Sequence, residues 1–336
     1  MSTFIVLIFT ICICAMIVMS GKCKMEDDEL LGKNECSALK GVAILLVFVH
    51  HYGQLYSDTY SAHSFLGYIG VTIFLLITGY VSEKQFLLKG KRYVSFSFIK
   101  KKVMRLYIPY VLITLIYAIL GRHDVSNTIS ELIHIEADWF LTAVTIFYLL
   151  FMMANLIASK SNQGYGIGIL TGVIIVYVIF QAMIGNSVVW YNTAFAFLVG
   201  VYIAYIEWKK SGRKALIRRR EIKFCVTLLS VVLTVLFVVL SIMRIGYSVT
   251  STLASTCLSL MIIFLSEHMK ITNKCLALIG TLSWEFYLCQ SKNLMIVKDY
   301  LGGNVLVGFG AALAISIIVA VIVNKGLEFI KKTIKA

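Results

Sequence analysis

Leu39-Lys40-Gly41-Val42-Ala43-Ile44-Leu45-Leu46-Val47-Phe48-Val49-His50-His51 is an apolar run with a cation near its start and two imidazoles at its end. The run is continuous and does not alternate, which reads as a membrane helix and not as a barrel strand. His51 follows Lys40 by eleven positions. At about 100° per residue this separation closes three turns to within about 20°, over about 16 Å of axis. Both side chains therefore share a face, and that face is otherwise almost wholly apolar. Ionisable groups in a spanning helix are expensive, and by default they mark a functional site. The plainer alternative is that Lys40 marks the membrane edge while the histidine pair caps the other end.

Composition extends this reading to the whole chain. Of 336 residues, 59% are hydrophobic and 14% charged, against about 25% charged in soluble domains. The mean hydropathy is +0.87. Apolar runs fall at about 3–19, 39–57, 64–82, 106–121, 139–159, 166–183, 190–207, 224–243, 249–266, 276–294 and 304–323. The expectation is an all-α polytopic transmembrane helical bundle of about ten core spans plus one extra N-terminal span. Segment 1–38 is then the extra span with its connector, 39–324 the core, and 325–336 a basic tail. Pro109 is the only proline, so few spans can carry a proline kink.

The formal charge of +14 invites a nucleic-acid partner, but its distribution argues against one. Numbering the connections alternately puts 27 cations on one side of the bilayer, while Arg122, Arg244, Lys292 and Lys298 lie on the other. This is an orientation signal: the cation-rich side faces the cytoplasm, with the amino terminus outside and the carboxyl terminus inside. The expected location is the cell (inner or plasma) membrane, multi-pass. The first run could instead be a signal peptide. It lacks a positive n-region, however, and Lys22 and Lys24 come after it, which favours a retained span. Glu26-Asp27-Asp28-Glu29 reads as a solvated connector. The eight cysteines show no metal-ligand spacing, so neither zinc nor disulfides are expected.

Two further stretches carry polar residues into or beside the bilayer. Gly67 to Tyr80 holds Gly67, Gly70, Gly79, Thr72 and Thr78, small residues that let membrane helices approach closely, here against the His51 helix. Phe98-Ile99-Lys100-Lys101-Lys102-Val103-Met104-Arg105-Leu106-Tyr107-Ile108-Pro109-Tyr110 puts Lys102 and Arg105 on one face. Its charge suits either anionic lipid headgroups or a dedicated phosphate site at the cytoplasmic mouth.

Taken together, these residues resemble the acyltransferase-3 membrane proteins, which O-acylate bacterial surface glycans. That family's first core helix opens with Arg-Gly-Ile-Ala and reaches a His after ten intervening residues. Here Lys40-Gly41-Val42-Ala43 leads to His51, with Lys in place of Arg. Gly70-Val71, Phe74 and Thr78-Gly79-Tyr80 resemble its second helix, and Arg105-Leu106 through Pro109-Tyr110 its basic segment. Trp139-Phe140-Leu141 is similar to the start of a later helix. Ser283-Trp284-Glu285-Phe286-Tyr287-Leu288-Cys289-Gln290 resembles its terminal motif, with Gln290 where His is common. Each motif is degenerate alone; five in order over 39–323 are specific together.

The resemblance implies acetyl-CoA as acyl donor and co-substrate, reached from the cytoplasm, and a glycan acceptor on the far side. Lys40, Lys102 and Arg105 are placed to meet CoA phosphates, although Lys offers a point charge and no guanidinium fork. His51 matches the catalytic His and can take a proton from a sugar hydroxyl. His50, rotated about 100° away, packs or meets the acceptor side. Thr78, Tyr80, Glu285, Tyr287 and Gln290 are candidates for the cavity. Glu285 needs a partner inside the membrane, from Tyr287, Gln290 or a histidine of the first core helix. Trp139, next to the polar segment 121–138 with His123, Asp124, Glu131, His134, Glu136 and Asp138, either cradles a sugar or belongs to an interfacial aromatic belt. The expected partners are acyl-CoA, the glycan, the lipid bilayer and polysaccharide biosynthesis machinery. A rival reading is a transporter or flippase of a lipid-linked glycan, with His51 and Glu285 relaying protons. It is weakened because no internal repeat stands out. An acyltransferase of a small molecule or lipid headgroup is the nearer alternative.

Overall fold

The computed structural model describes residues 2–23, 30–56, 63–120, 128–129, 139–158, 163–209, 220–271, 273–301 and 305–333. Their long apolar runs fold into α1 (Ser2–Ser20), α2 (Lys33–Tyr56), α3 (His63–Lys89), α4 (Phe96–Ile119), α5 (Trp139–Ile157) and α6 (Gln163–Met183). The chain continues through α7 (Ala194–Lys209), α8 (Arg220–Ile242), α9 (Tyr247–Ser266), α10 (Lys274–Thr281), α11 (Ser283–Leu301) and α12 (Val305–Thr333). The protein is an all-α polytopic bundle: among the described residues, nine helices are long and apolar enough to cross a membrane.

The count of eleven spans needs correcting in one place. The run 276–294 is not one helix but α10 and α11, which meet at a turn where the Leu282 N–H donates to the Ile279 carbonyl. Asn273 starts α10 by accepting from the Leu276 N–H at 3.0 Å. α11 carries Glu285, Lys292, Lys298 and Asp299, too many charges for an ordinary lipid-facing span. It is held instead by protein on several sides. The described part of α1 adds a shorter apolar helix, Val6–Ser20.

α2 is the axis of the bundle, and residues 41–49 are buried without interruption. The reason is close backbone approach from two neighbours. On one side the Leu276 carbonyl occupies the space a side chain on Gly41 would need, and the Ser37 carbonyl does the same at Gly280. On another side Gly70 meets the Ala43 carbonyl, and Gly67 lies against the His50 ring. Gly79 was expected to serve the same contact, but it faces the Phe197 carbonyl of α7. The small residues of α3 therefore divide between two partners.

An antiparallel ribbon, which no period in the sequence signals, ties β1 (Gly21–Cys23) to β2 (Met269–Ile271). It joins the end of α1 to the connection after α9. Leu30 N–H donates to Glu207 Oε1 at 3.3 Å, and Lys223 Nζ pairs with Glu267 Oε2 at 3.6 Å. Connections rich in lysine and arginine thus gather at one end of the bundle, called the basic end below. At the opposite end the Tyr52 hydroxyl donates to the Val305 carbonyl at 2.6 Å and Lys298 Nζ to the Leu55 carbonyl at 2.9 Å.

Candidate active site

Lys40 and His51 mark the two ends of the candidate site on α2. At the basic end, Lys40 has Tyr148, Arg105, Cys36 and Lys102 as its electrostatic neighbours. Lys102 Nζ donates to the Tyr148 hydroxyl at 3.3 Å and sits 4.4 Å from the centre of that ring. The Phe98 ring lies 5.4 Å from the same ammonium. A cation over an aromatic face is held by the ring quadrupole. Tyr148 in turn feels Lys102, Lys40 and Arg105 together. Three cations from α2 and α4 therefore converge on one phenol of α5. Among the described residues no carboxylate pairs with them. A cleft between α4 and α5 opens here, lined by Lys102, Leu106, Thr145 and Tyr148.

About 16 Å along α2, the half-buried His51 accompanies Gln54 one turn later. The His51 Nδ1–H donates to Gln54 Oε1 at 3.2 Å. A carboxamide oxygen only accepts, so this contact suits a proton on Nδ1, and in the neutral ring that tautomer has its lone pair on Nε2. The His50 ring stands 5.0 Å from that of His51 and packs on Gly67.

Between the two ends runs a wall of aromatic rings. Trp284 Nε1–H donates to the Leu106 carbonyl at 3.0 Å, beside the basic cleft. Trp284 stacks on Tyr287 at 5.6 Å, Tyr287 meets Phe140 at 5.2 Å, and Phe140 meets Trp139 at 5.7 Å. Trp139 then contacts Trp190 at 6.4 Å. Such edge and stacked pairs give a rigid, apolar lining.

The other candidates lie elsewhere or have other partners. Thr78 Oγ1 donates to the Phe74 carbonyl of its own helix at 2.7 Å. Tyr80 is buried at the basic end, its hydroxyl donating to Glu207 Oε2 at 2.5 Å with Lys84 Nζ at 3.5 Å. Thirteen residues of α3 separate Tyr80 from Gly67, which is about 20 Å of axis, so Tyr80 is remote from His51. Glu285 accepts from Asn324 Nδ2 of α12 at 3.2 Å, a partner outside the expected set. Gln290 is wholly buried, and neither of its amide atoms has a partner among the described residues. The expected polar segment 121–138, apart from 128–129, and Glu26 to Glu29 lie outside the described residues.

Sequence reasoning missed Tyr148, Gln54 and Glu207. Tyr148 had one readable signal, a hydroxyl in the middle of the apolar run Phe147 to Leu150. Gln54 lies one turn past His51, where a polar residue looks like an ordinary helix end. Among the described residues no group of three or more His, Cys, Asp or Glu side chains is arranged to hold a metal ion.

The family model for the acyltransferase domain of acyltransferase-3 proteins matches residues 35–325. No curated protein and no solved structure matches the chain. The matched region begins at the start of α2 and ends within α12, so it contains every helix of the site just described. A match of that extent, over a bundle of membrane-spanning helices, assigns the chain to the acyltransferase-3 family of membrane acyltransferases.

Proposed function

We propose that the protein moves an acyl group, acetyl by family habit, from acyl-CoA at its basic end to a hydroxyl of a surface or exported polysaccharide at the other. The observation that carries this reading is the convergence of Lys40, Lys102 and Arg105 on Tyr148, with no carboxylate among the described residues to balance them. Uncompensated cations partly sheltered from water call for an anionic ligand. The CoA nucleotide, with its several phosphates, has the required charge, and the positive-inside rule puts this end in the cytoplasm. The axial distance of about 16 Å from Lys40 to His51 is comparable to an extended pantetheine arm. The thioester would then lie beside the Tyr287–Phe140–Trp139 wall, where apolar rings exclude water.

In this reading His51 Nε2 takes the proton of the acceptor hydroxyl as its oxygen attacks the thioester carbonyl. Gln54, bonded to Nδ1, holds the tautomer that makes this possible. The imidazolium then returns the proton to the departing thiolate. The protein in liposomes, given acetyl-CoA on one side and the acceptor glycan on the other, provides the test. His51→Ala should lower turnover by about 10²–10⁴-fold while the variant stays folded in the membrane. In cells, glycan export that fails while acetyl content per sugar stays constant would contradict acyl transfer and favour a transporter.

A further inference from the structure

Gln290 is 0% exposed, and neither its Oε1 nor its Nε2 has a hydrogen-bond partner among the described residues. A carboxamide carries two donor hydrogens and an acceptor oxygen, and burying them unmatched is costly. Its neighbours on α11 are satisfied. Asn293 accepts from the Tyr117 hydroxyl at 2.5 Å and donates to Ser316 Oγ at 3.0 Å. The Cys289 thiol donates to the Ser316 carbonyl at 3.5 Å, and Glu285 accepts from Asn324. The unmatched state therefore belongs to Gln290 and not to a loosely packed helix.

Helix register sets Gln290 beside His51. α2 and α11 run in the same direction, since Phe48 meets Phe286 in the first turn of α11 and Leu55 meets Lys298 near its end. Phe48 of α2 and Phe286 of α11 pack edge-on, 5.8 Å between ring centres. His51 lies three residues beyond Phe48, and Gln290 four beyond Phe286. Each is thus about one turn past the same contact, about 4.5–6 Å along its axis and within about 60° of the contacting face. The chemistry of that turn is otherwise one-sided. His51 Nε2 removes a proton and Gln54 Oε1 accepts from Nδ1, while the oxygen of the attacked carbonyl needs a donor and the buried Gln290 amide holds unmatched donor hydrogens.

We propose that Gln290 is a substrate-contacting residue of the transfer step, its Nε2–H donating to the acyl carbonyl oxygen as that oxygen gains negative charge. This rests on the reading of His51 as the base. In the step, the acceptor oxygen bonds to the acyl carbon and its proton passes to His51 Nε2. The carbonyl pair moves onto the oxygen held by Gln290. On collapse the carbon–sulfur bond breaks, its electron pair goes to sulfur, and His51 returns the proton to give the free CoA thiol. Nothing is oxidised or reduced.

Purified full-length Gln290→Met, similar in volume but without a donor, tests the proposal. Its Tm should equal or exceed that of the unsubstituted protein, because an unmatched buried amide has been removed. Its kcat for acetyl transfer should fall by about 10²–10³-fold, as when one oxyanion donor is lost, with the KM for acetyl-CoA within about threefold. Gln290→Glu, of nearly the same shape, should lose activity likewise. Retained kcat in Gln290→Met overturns the proposal. A fall in Tm overturns it as well, since it would show that the amide supports the resting fold. If Gln290→Met stays active while His51→Ala is dead, only this inference fails. If His51→Ala is active, the reading of the base fails first.

Discussion

At the scale of single residues, Tyr148 links cations from two helices, and its hydroxyl matters through Lys102. Tyr148→Phe keeps the ring under the ammonium but removes one charge-assisted hydrogen bond. We expect the KM for acetyl-CoA to rise about 3–10-fold with kcat nearly unchanged, read from initial rates. Lys40→Arg supplies a planar fork that can grip a phosphate through two bonds, so the KM for the donor should fall several-fold. An increase would show that the site has no room for a guanidinium. Lys40 and His51 were legible in the sequence because a charge or an imidazole stands out in an apolar run. Tyr148 was not, since tyrosine is common in spans and only the fold shows which one meets three cations. Glu285 was recognised as needing a partner, but Asn324 lies 39 residues away on another helix, and no local pattern points to it.

At the scale of elements, the contact between α2 and α10 depends on two glycines pressed against backbone. A side chain at Gly280 would collide with the Ser37 carbonyl, which cannot turn aside as a flexible side chain can. Gly280→Val should therefore destabilise by about 3 kcal/mol or more, at the upper end of overpacking effects, and should lower both folded yield and Tm. Gly310 is the matched control: it lies in α12 with no atom near the place of a Cβ. Gly310→Ala should leave Tm unchanged or raise it, by up to about 1 kcal/mol of helix propensity. Equal losses for the two substitutions would contradict the packing described. Most elements were legible because runs of about twenty apolar residues have one structural outcome in a bilayer. The break at Leu282 was not, because enough apolar residues flank it to fill a span on paper. The ribbon of β1 and β2 is also silent, since three-residue strands are too short to show a period.

At the scale of the molecule, the two ends of α2 have different proposed tasks. Orientation is tested in a cysteine-free background with a membrane-impermeant thiol reagent. Ser97→Cys, exposed at the start of α4, should label only from the cytoplasmic side, and Ser187→Cys, exposed between α6 and α7, only from the outside. The reverse pattern would invert the proposed direction of transfer. The class and the family were legible from composition and five ordered motifs, whereas the closure of the cation cluster and the aromatic wall needed the packed bundle. The most direct test of the central claim uses liposomes with the protein in one orientation, labelled acetyl-CoA confined to the basic end and acceptor glycan to the other. Labelled glycan is expected on the far side, with a raised KM for acetyl-CoA and unchanged kcat in Lys40→Ala, and with turnover lost in His51→Ala. Glycan labelled only on the side that holds acetyl-CoA, or labelled at the unsubstituted rate in His51→Ala, would contradict that claim.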